Sequence, residues 1–134
     1  MPVYRQELAT RALNDKIYVL GGYAELGNST ATVEVYNPIS DTWAFAHALP
    51  YAVNHNAAAV TGGKLYSFGA GAGETFVYNP TGNSWSTRAS SHYVHSLTAA
   101  VGVINDKIYI AGGTSTPSAA RTRGVRSGCK YMDS

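Results

Sequence analysis

Two histidines in the last third of the 134-residue chain are the first candidates for a chemical site. His92 and His95 stand three positions apart, which is close enough for two ligands of one metal ion. A protein metal site needs a third or fourth ligand, and no other ligand-type residue stands at a suggestive spacing from this pair. We therefore expect no metal, and we interpret both histidines as polar residues at the edge of a fold.

A glycine-rich run at residues 69–73 resembles a loop that binds phosphate groups. Such a loop must lead directly into a helix, whose free N–H groups bind the anion. The residues that follow, Thr75 to Tyr78, are β-branched or aromatic and favour a strand. The run therefore predicts a shortened loop between strands, and we expect no cofactor.

The composition limits the class of protein. Hydrophobic residues make up 45% of the chain and charged residues 13%, which is typical of a folded domain. No run approaches the ~18 apolar residues of a membrane helix, and residues 1–25 lack the features of a signal peptide, so we expect no membrane contact. A single cysteine, Cys129, excludes an intramolecular disulfide and favours a reducing compartment such as the cytoplasm.

Charge is distributed unevenly along the chain. Residues 1–113 carry six Lys or Arg against seven acidic residues, whereas residues 114–134 carry four basic residues against Asp133 alone. The first part is nearly neutral, so we expect no nucleic-acid partner. The second part has neither periodicity nor an apolar run and is predicted to be a flexible basic tail.

An internal repeat organises the first 113 residues. Residues 14–22 (NDKIYVLGG) return at 105–113 (NDKIYIAGG), and a looser copy stands at 62–70 (GGKLYSFGA). A second element, residues 36–43 (YNPISDTW), returns at 78–85 (YNPTGNSW). Two elements that recur in the same order predict a stack of similar units.

Each unit is predicted to contain four short strands. A two-residue turn of Asn, Asp or Gly, first at residues 14–15, joins the first two strands, because these residues readily take positive φ angles. The second strand, first at residues 16–20, is apolar on both faces, so that sheets must stack on both sides of it. The third strand ends after Tyr36, where Pro38 has no N–H to donate. The fourth begins near Trp43, and burial best explains these recurring aromatic residues.

The ordered pattern resembles the kelch repeat. In that family a Gly-Gly pair follows an Ile-Tyr strand, and a tyrosine is followed by a tryptophan seven positions later. Arg5, nine residues before Asn14, stands where kelch repeats often place an arginine at the start of the innermost strand. The resemblance covers residues 5–113 and implies an all-β fold, a partial kelch-type β-propeller with antiparallel four-stranded blades.

The resemblance divides the chain into an incomplete propeller and the basic tail. The expected ranges are 1–113 for the propeller, with blades at about 5–48 and 50–89 and a half blade at 92–113, and 114–134 for the tail. The half blade stops after its second strand, because no Tyr-Asn-Pro and no tryptophan follow Gly113. We thus expect about ten strands, with no strand beyond the last one. Since propellers need at least about four blades, the chain is expected to be a fragment, a truncated product or part of an assembly.

The resemblance implies a non-catalytic module that binds proteins. Propellers commonly bind through loops at one end of the blades, where kelch folds gather the residues after Gly-Gly and those that enter each first strand. The candidate binding residues are Arg5, Tyr23, Glu25, Asn28, Tyr51, Asn54, His92 and His95. We expect residues 5, 23 and 54 to share one end of the blades. The expected partners are a protein at these loops, together with completing blades or other copies of the chain.

Two other interpretations stay open. Some kelch proteins are carbohydrate-active enzymes, either sialic-acid mutarotases or copper radical oxidases. A mutarotase would use residues such as Arg5, Glu25, His55 and Tyr93 for acid–base chemistry or orientation, whereas Cys129 lies outside the repeats and matches no part of an oxidase site. No catalytic residue is assigned, and a non-enzymatic function is favoured. The third interpretation is a degenerate fragment without a function of its own.

Overall fold

The computed structural model describes residues 1–70, 73–88, 99–111 and 130–132, and these form three β-sheets. Blade one contains β1 (Ala9–Leu13), β2 (Lys16–Leu20), β3 (Val33–Asn37) and β4 (Thr42–Phe45). Blade two contains β5 (Ala57–Thr61), β6 (Lys64–Ala70), β7 (Glu74–Asn79) and β8 (Ser84–Arg88). Blade three contains β9 (Ala100–Ile104), β10 (Lys107–Ala111) and β11 (Lys130–Met132). A 3-10 turn at Glu25–Gly27 is the only helical element of the described residues.

Each sheet is an antiparallel meander. The strands of blades one and two pair in chain order, β1 to β4 and β5 to β8, and blade three has the order β11-β10-β9. The innermost strand of each blade is its first, and β5 lies between β1 and β9 and contacts both. The all-β class and the four-stranded antiparallel blades are as predicted from the repeat.

The predicted hairpin turns are confirmed. Residues 14–15, 62–63 and 105–106 all have positive φ, between 49° and 68°. This left-handed conformation matches the twist of two-residue hairpins and favours Asn, Asp and Gly. The turns fix the strand register, which in blade one places Leu13 opposite Lys16.

Apolar side chains fill the two spaces between neighbouring blades. The space between blades one and two contains the side chains of Leu13, Tyr18, Leu20, Val33, Leu49, Val53, Leu65, Phe76 and Tyr78. The space between blades two and three contains Tyr66, Phe68, Val77, Ile108 and Ile110. Blade two is therefore covered on both faces, as the apolar second strand predicts. Among the described residues, blade one packs against another blade on one face only. Residues 1–5 cover the inner part of its other face, while Ile17 on the outer part of that face is 40% exposed.

The recurring aromatic residues pack as cross-strand pairs. Tyr36 lies opposite Trp43, and Tyr78 lies opposite Trp85, each with ring centroids 5.0 Å apart. Tyr78 is buried, whereas the other three are only partly buried. The predicted packing of these aromatic residues is confirmed.

The expectation that no strand follows β10 is wrong. Three residues of the predicted tail, Lys130–Met132, form β11 and pair with β10, with Ile110 opposite Lys130. The free edge of β10 presents unpaired N–H and C=O groups, and β11 satisfies them. The described residues thus contain eleven strands instead of ten, while the domain boundary after residue 113 stays a prediction. A search of the described residues for a helix long and apolar enough to cross a membrane finds none.

Candidate functional site

Three segments converge at one end of blades one and two. The residue after Arg5, Gln6, exchanges two backbone hydrogen bonds with Tyr23, with N···O distances of 3.0 and 2.8 Å. The loop after β2 then pairs with the segment that enters β5, because Val53 N donates to Thr30 O over 3.0 Å. The prediction that residues 5, 23 and 54 share one end of the blades is confirmed.

Five side chains of these segments form a polar group that we call the blade-end cluster: Glu7, Tyr23, Ser29, Asn54 and His55. The carboxylate of Glu7 contacts His55 Nε2, and Asn54 Oδ1 lies 2.6 Å from His55 Nδ1. Asn54 Nδ2 donates to Ser29 Oγ over 2.6 Å. The rings of Tyr23 and His55 meet edge to face, with centroids 5.7 Å apart. The cluster therefore links the loops of two blades through their side chains.

Two residues of the blade-end cluster have an unusual backbone conformation. Glu7 has φ 55° and His55 has φ 49°, although neither is glycine, asparagine or aspartate. A hydrogen bond from His55 N to Glu7 O, 2.9 Å long, joins the two positions. Such backbone conformations cost of order 1–3 kcal/mol and concentrate at functional sites. This strain makes the cluster the candidate functional site of the described residues.

The other candidate residues lie around the cluster. Glu25 and Asn28 are exposed in the loop that contains the 3-10 turn, which closes through a 2.9 Å hydrogen bond from Ala24 N to Asn28 O. Tyr51 is 57% exposed, and its ring lies 5.8 Å from that of Phe76. His92 and His95 lie outside the described residues.

The buried side chain of Arg5 holds the loop after β2 in place through hydrogen bonds and an ion pair. Its Nη1 donates to Gly21 O over 2.7 Å and to Thr32 O over 2.9 Å, and its Nη2 forms an ion pair with Glu34. Both side chains of this pair are fully buried. These contacts fix the residues after β2 and satisfy both terminal nitrogens of Arg5, while its buried Nε has no hydrogen-bond partner among the described residues.

The Gly-Gly pair lets the two blades approach closely. Gly21 and Gly22 have φ of 60° and 97°. A Cβ on Gly21 would lie 2.6 Å from a methyl carbon of Val53, which is too close for any side chain. Glycine is needed here because the segment that enters blade two passes directly over the pair.

Sequence reasoning missed part of the cluster. Glu7 and Ser29 were not among the candidates, and His55 was considered only for an enzymatic site. Glutamate is not a residue type that indicates a positive φ. Only its position two residues after Arg5 could have suggested that Glu7 belongs to the site. The glycine-rich run was interpreted correctly, because the strand Glu74–Asn79 follows it.

Comparisons with known proteins agree with this architecture. Residues 5–46 match the family model described as the Kelch motif. The chain is 35% identical over 124 residues to the Kelch-like protein terF of Aspergillus terreus, covering 81% of this chain and 27% of that protein. It is also 35% identical over 109 residues to Kelch-like protein 35 of Mus musculus, covering 76% of this chain and 18% of that protein.

A solved structure shares the fold. The structure of YjhT superposes with a TM-score of 0.73 at 20% sequence identity, over 84% of this chain and 46% of that one. The fold is a partial β-propeller with antiparallel blades. The chain spans about a quarter or less of the two curated relatives and about half of the solved structure.

Proposed function

Because the chain belongs to the kelch-repeat family, we propose that it is a non-catalytic protein-interaction module and part of a larger propeller. The observation that carries the proposal is the blade-end cluster, in which side chains of two blades meet at one surface. Its Glu7 carboxylate is 43% exposed and its His55 ring 22% exposed. These groups are held by the framework and remain open to a partner, as recognition loops on a rigid scaffold are.

Exposed tyrosines in the segments that lead to the cluster favour a protein as the partner. Tyr4, just before β1, is 74% exposed, and Tyr51, before β5, is 57% exposed. Both stand in the segments that enter the blades at the end where Tyr23 lies. Tyrosine is enriched in protein interfaces and in their energetic centres, because it combines a large ring with a hydroxyl group.

Further blades or further copies of the chain complete the fold in this proposal. Blade one has an uncovered outer part on one face, and blade three has exposed apolar residues, Val103 at 40% and Ile104 at 61% exposure. Large exposed apolar surfaces on a soluble protein usually mark an interface. The relatives are several times longer than the part matched here, which supports completion by additional blades.

The proposed binding surface is tested by comparing co-purified proteins. A double variant, Glu25→Ala with Tyr51→Ala, removes two exposed side chains at the blade-end loops. The matched control is Ile39→Ser, since Ile39 is 87% exposed in the turn between β3 and β4 at the opposite end of blade one. We expect the parent and the control to retain the same partner in quantitative affinity purification, and the loop variant to lose it.

Circular dichroism melts of the three proteins show whether each variant still folds. Equal recovery of the same proteins by all three folded chains would contradict binding through these loops.

A further inference from the structure

Where blades one and two meet, which we call the joint, the backbone of His47 takes part in two hydrogen bonds. His47, in the extended segment that leaves β4, donates its N–H to Asn83 Oδ1 over 2.9 Å. Its carbonyl oxygen accepts from Trp85 Nε1 over 2.8 Å. Asn83 also accepts the hydroxyl proton of Tyr78 over 2.7 Å. Blade two therefore holds the segment leaving blade one through one acceptor and one donor.

Blade one carries the same groups 42 positions earlier. Tyr36 donates its hydroxyl proton to Asp41 Oδ1 over 2.8 Å, as Tyr78 does to Asn83. Asp41 also shares the positive φ of Asn83, 51° against 44°. Trp43 packs on Tyr36 as Trp85 packs on Tyr78. Asn83 and Trp85 of blade two bind the backbone of His47, and blade one has an equivalent acceptor in Asp41 and an equivalent donor in Trp43.

These groups lack the second partner in blade one. Trp43 Nε1 has no hydrogen-bond acceptor among the described residues, and Asp41 Oδ1 accepts there only from Tyr36. The surrounding side chains are also uncovered. Ile17 is 40% exposed, whereas Leu65 at the equivalent position of blade two is fully buried. Phe45, two residues after Trp43 on the same sheet face, is 64% exposed. We call Ile17, Tyr36, Asp41, Trp43 and Phe45 the blade-one outer face.

The inner part of the same sheet side is already occupied by the start of the chain. Val3 N donates to Glu34 Oε1 over 3.1 Å. The residue of blade two equivalent to Val3 is Tyr51, 48 positions later, and the residue equivalent to Glu34 is Phe76. The rings of Tyr51 and Phe76 pack together. Residues 1–5 therefore take the place that residues 49–53 take against blade two. The counterpart of His47 would fall two positions before residue 1, and no described residue takes its place against Asp41 and Trp43.

We propose that the blade-one outer face docks another kelch-type blade through the extended segment that follows that blade's outermost strand. The incoming segment presents one N–H to Asp41 Oδ1 and one C=O to Trp43 Nε1. It covers Ile17 and Tyr36 with a small apolar side chain, as Ala46 of this chain packs against the cluster that contains Leu65 and Tyr78. The proposal deepens the proposed function, since it rests on this chain being part of a larger propeller, and it assigns the residues that receive the next blade.

A blade from outside these 134 residues is favoured over a second copy of the chain. The described residues contain one such exit segment, residues 46–49, and blade two already holds it through Asn83 and Trp85. A second copy therefore offers no free described segment with the required N–H and C=O. The interface is instead a continuation of the joint between blades one and two.

A tandem chain tests the docking. Residues 1–48 are added ahead of residue 1, so that Ala48 of the added blade leads into Met1-Pro2 as Ala48 leads into Leu49-Pro50 in this chain. The added blade carries Trp43→Phe, which leaves Trp43 and Trp85 as the only indoles. Hydrogen exchange of the two indole N–H groups is measured by NMR in the 134-residue chain and in the tandem chain.

In the 134-residue chain we expect slow exchange at Trp85 and fast exchange at Trp43. In the tandem chain Trp43 should slow by about tenfold or more, because a hydrogen-bonded group exchanges only when the structure opens. Changing His47→Pro in the added blade removes the N–H that Asp41 would accept and should cancel much of this protection.

Fast exchange at Trp43 in a tandem chain that still protects Trp85 would overturn the proposal. A tandem chain that melts below the 134-residue chain would overturn it as well, since docking must stabilise blade one. No blade-end residue of the 134-residue part is changed in this experiment, so its failure would leave binding at those loops untouched. Failure of the co-purification test would likewise leave the docking result standing.

Discussion

A buried ion pair in blade one occupies the place that apolar side chains fill in blade two. Arg5 and Glu34 form the pair, and the equivalent residues of blade two are Val53 and Phe76. All four are buried. Burying two charges carries a large desolvation cost, which the mutual attraction and the additional hydrogen bonds must offset. The repeat therefore contains two solutions to the same packing problem, and they can be exchanged.

We predict strong coupling between Arg5 and Glu34. Arg5→Val alone or Glu34→Phe alone leaves an unpaired buried charge and should lower the free energy of unfolding by about 3–5 kcal/mol. The double variant carries the residues of blade two and should recover most of this loss. Urea unfolding of the four proteins gives the coupling energy. Additive losses in the double variant would contradict the prediction.

The hydroxyl of Tyr36 gives a pH-dependent readout of the turn in blade one. Its hydrogen bond to Asp41 raises the pKa of Tyr36 above the ordinary value, with partial burial and the negative charge of Asp41 adding to the effect. Asp41→Asn introduces the residue of the equivalent blade-two position and removes the charge. We expect the pKa of Tyr36 to fall toward the ordinary tyrosine value near 10.

NMR signals of the Tyr36 ring across alkaline pH measure this shift. The stabilisation that comes with the raised pKa is fully present below the ordinary tyrosine pKa, and it is lost as the pH rises through the raised value. The advantage that this hydrogen bond gives the parent over the variant should therefore shrink as the pH rises through the raised pKa of Tyr36. An unchanged pKa of Tyr36 in Asp41→Asn would show that Asp41 does not set it.

The position of Arg5 could be predicted from the sequence, but its surroundings could not. The resemblance to kelch repeats placed Arg5 in the segment that enters the first strand and at the same end of the blades as Tyr23. In the structure Arg5 precedes β1 by four residues, and its neighbour Gln6 pairs with Tyr23. The burial of Arg5 depends on Glu34, which lies 29 positions away on another strand. Residue type and spacing do not reveal such a pairing, because it depends on which face of β3 each side chain takes.

At the scale of elements, local signals predicted the strands well. Turn residues with positive φ and the Asn-Pro pairs act within a few positions, so the strands of blades one and two followed from the repeat. The strand Lys130–Met132 was missed because three residues carry little strand preference of their own. Its formation depends on the open edge of β10, which is a tertiary feature.

The two tryptophans should contribute unequally to stability although they occupy the same repeat position. Trp85 packs between blades and donates to His47 O, whereas Trp43 lies on the blade-one outer face. We expect Trp85→Ala to lower the free energy of unfolding by roughly 3 kcal/mol, the lower end of the range for core tryptophans. Trp43→Ala should have a clearly smaller effect. Urea unfolding compares the two variants, and equal losses would mean that Trp43 is already covered in this chain.

At the scale of the whole molecule, three blades form an open arc. The chain covers 46% of the YjhT structure, and the innermost strands follow one another from β1 through β5 to β9. A closed propeller covers both faces of every blade with its neighbours. Among the described residues, only blade two packs against a neighbouring blade on both faces. The apolar side chains left exposed on the two end blades are therefore where we expect further contacts.

Without a completing blade, the 134-residue chain exposes apolar side chains on both of its end blades. Ile17 and Phe45 are exposed on blade one, and Val103 and Ile104 are exposed on blade three. Water-exposed apolar surface of this kind favours contact between copies, so we expect self-association, aggregation or incomplete folding. Light scattering coupled to size exclusion, together with melts at several concentrations, measures it. Phe45→Thr introduces the residue of the equivalent position in blade two, Thr87, and should reduce the association. A monodisperse 14.2 kDa monomer with a cooperative, concentration-independent melt would contradict the prediction.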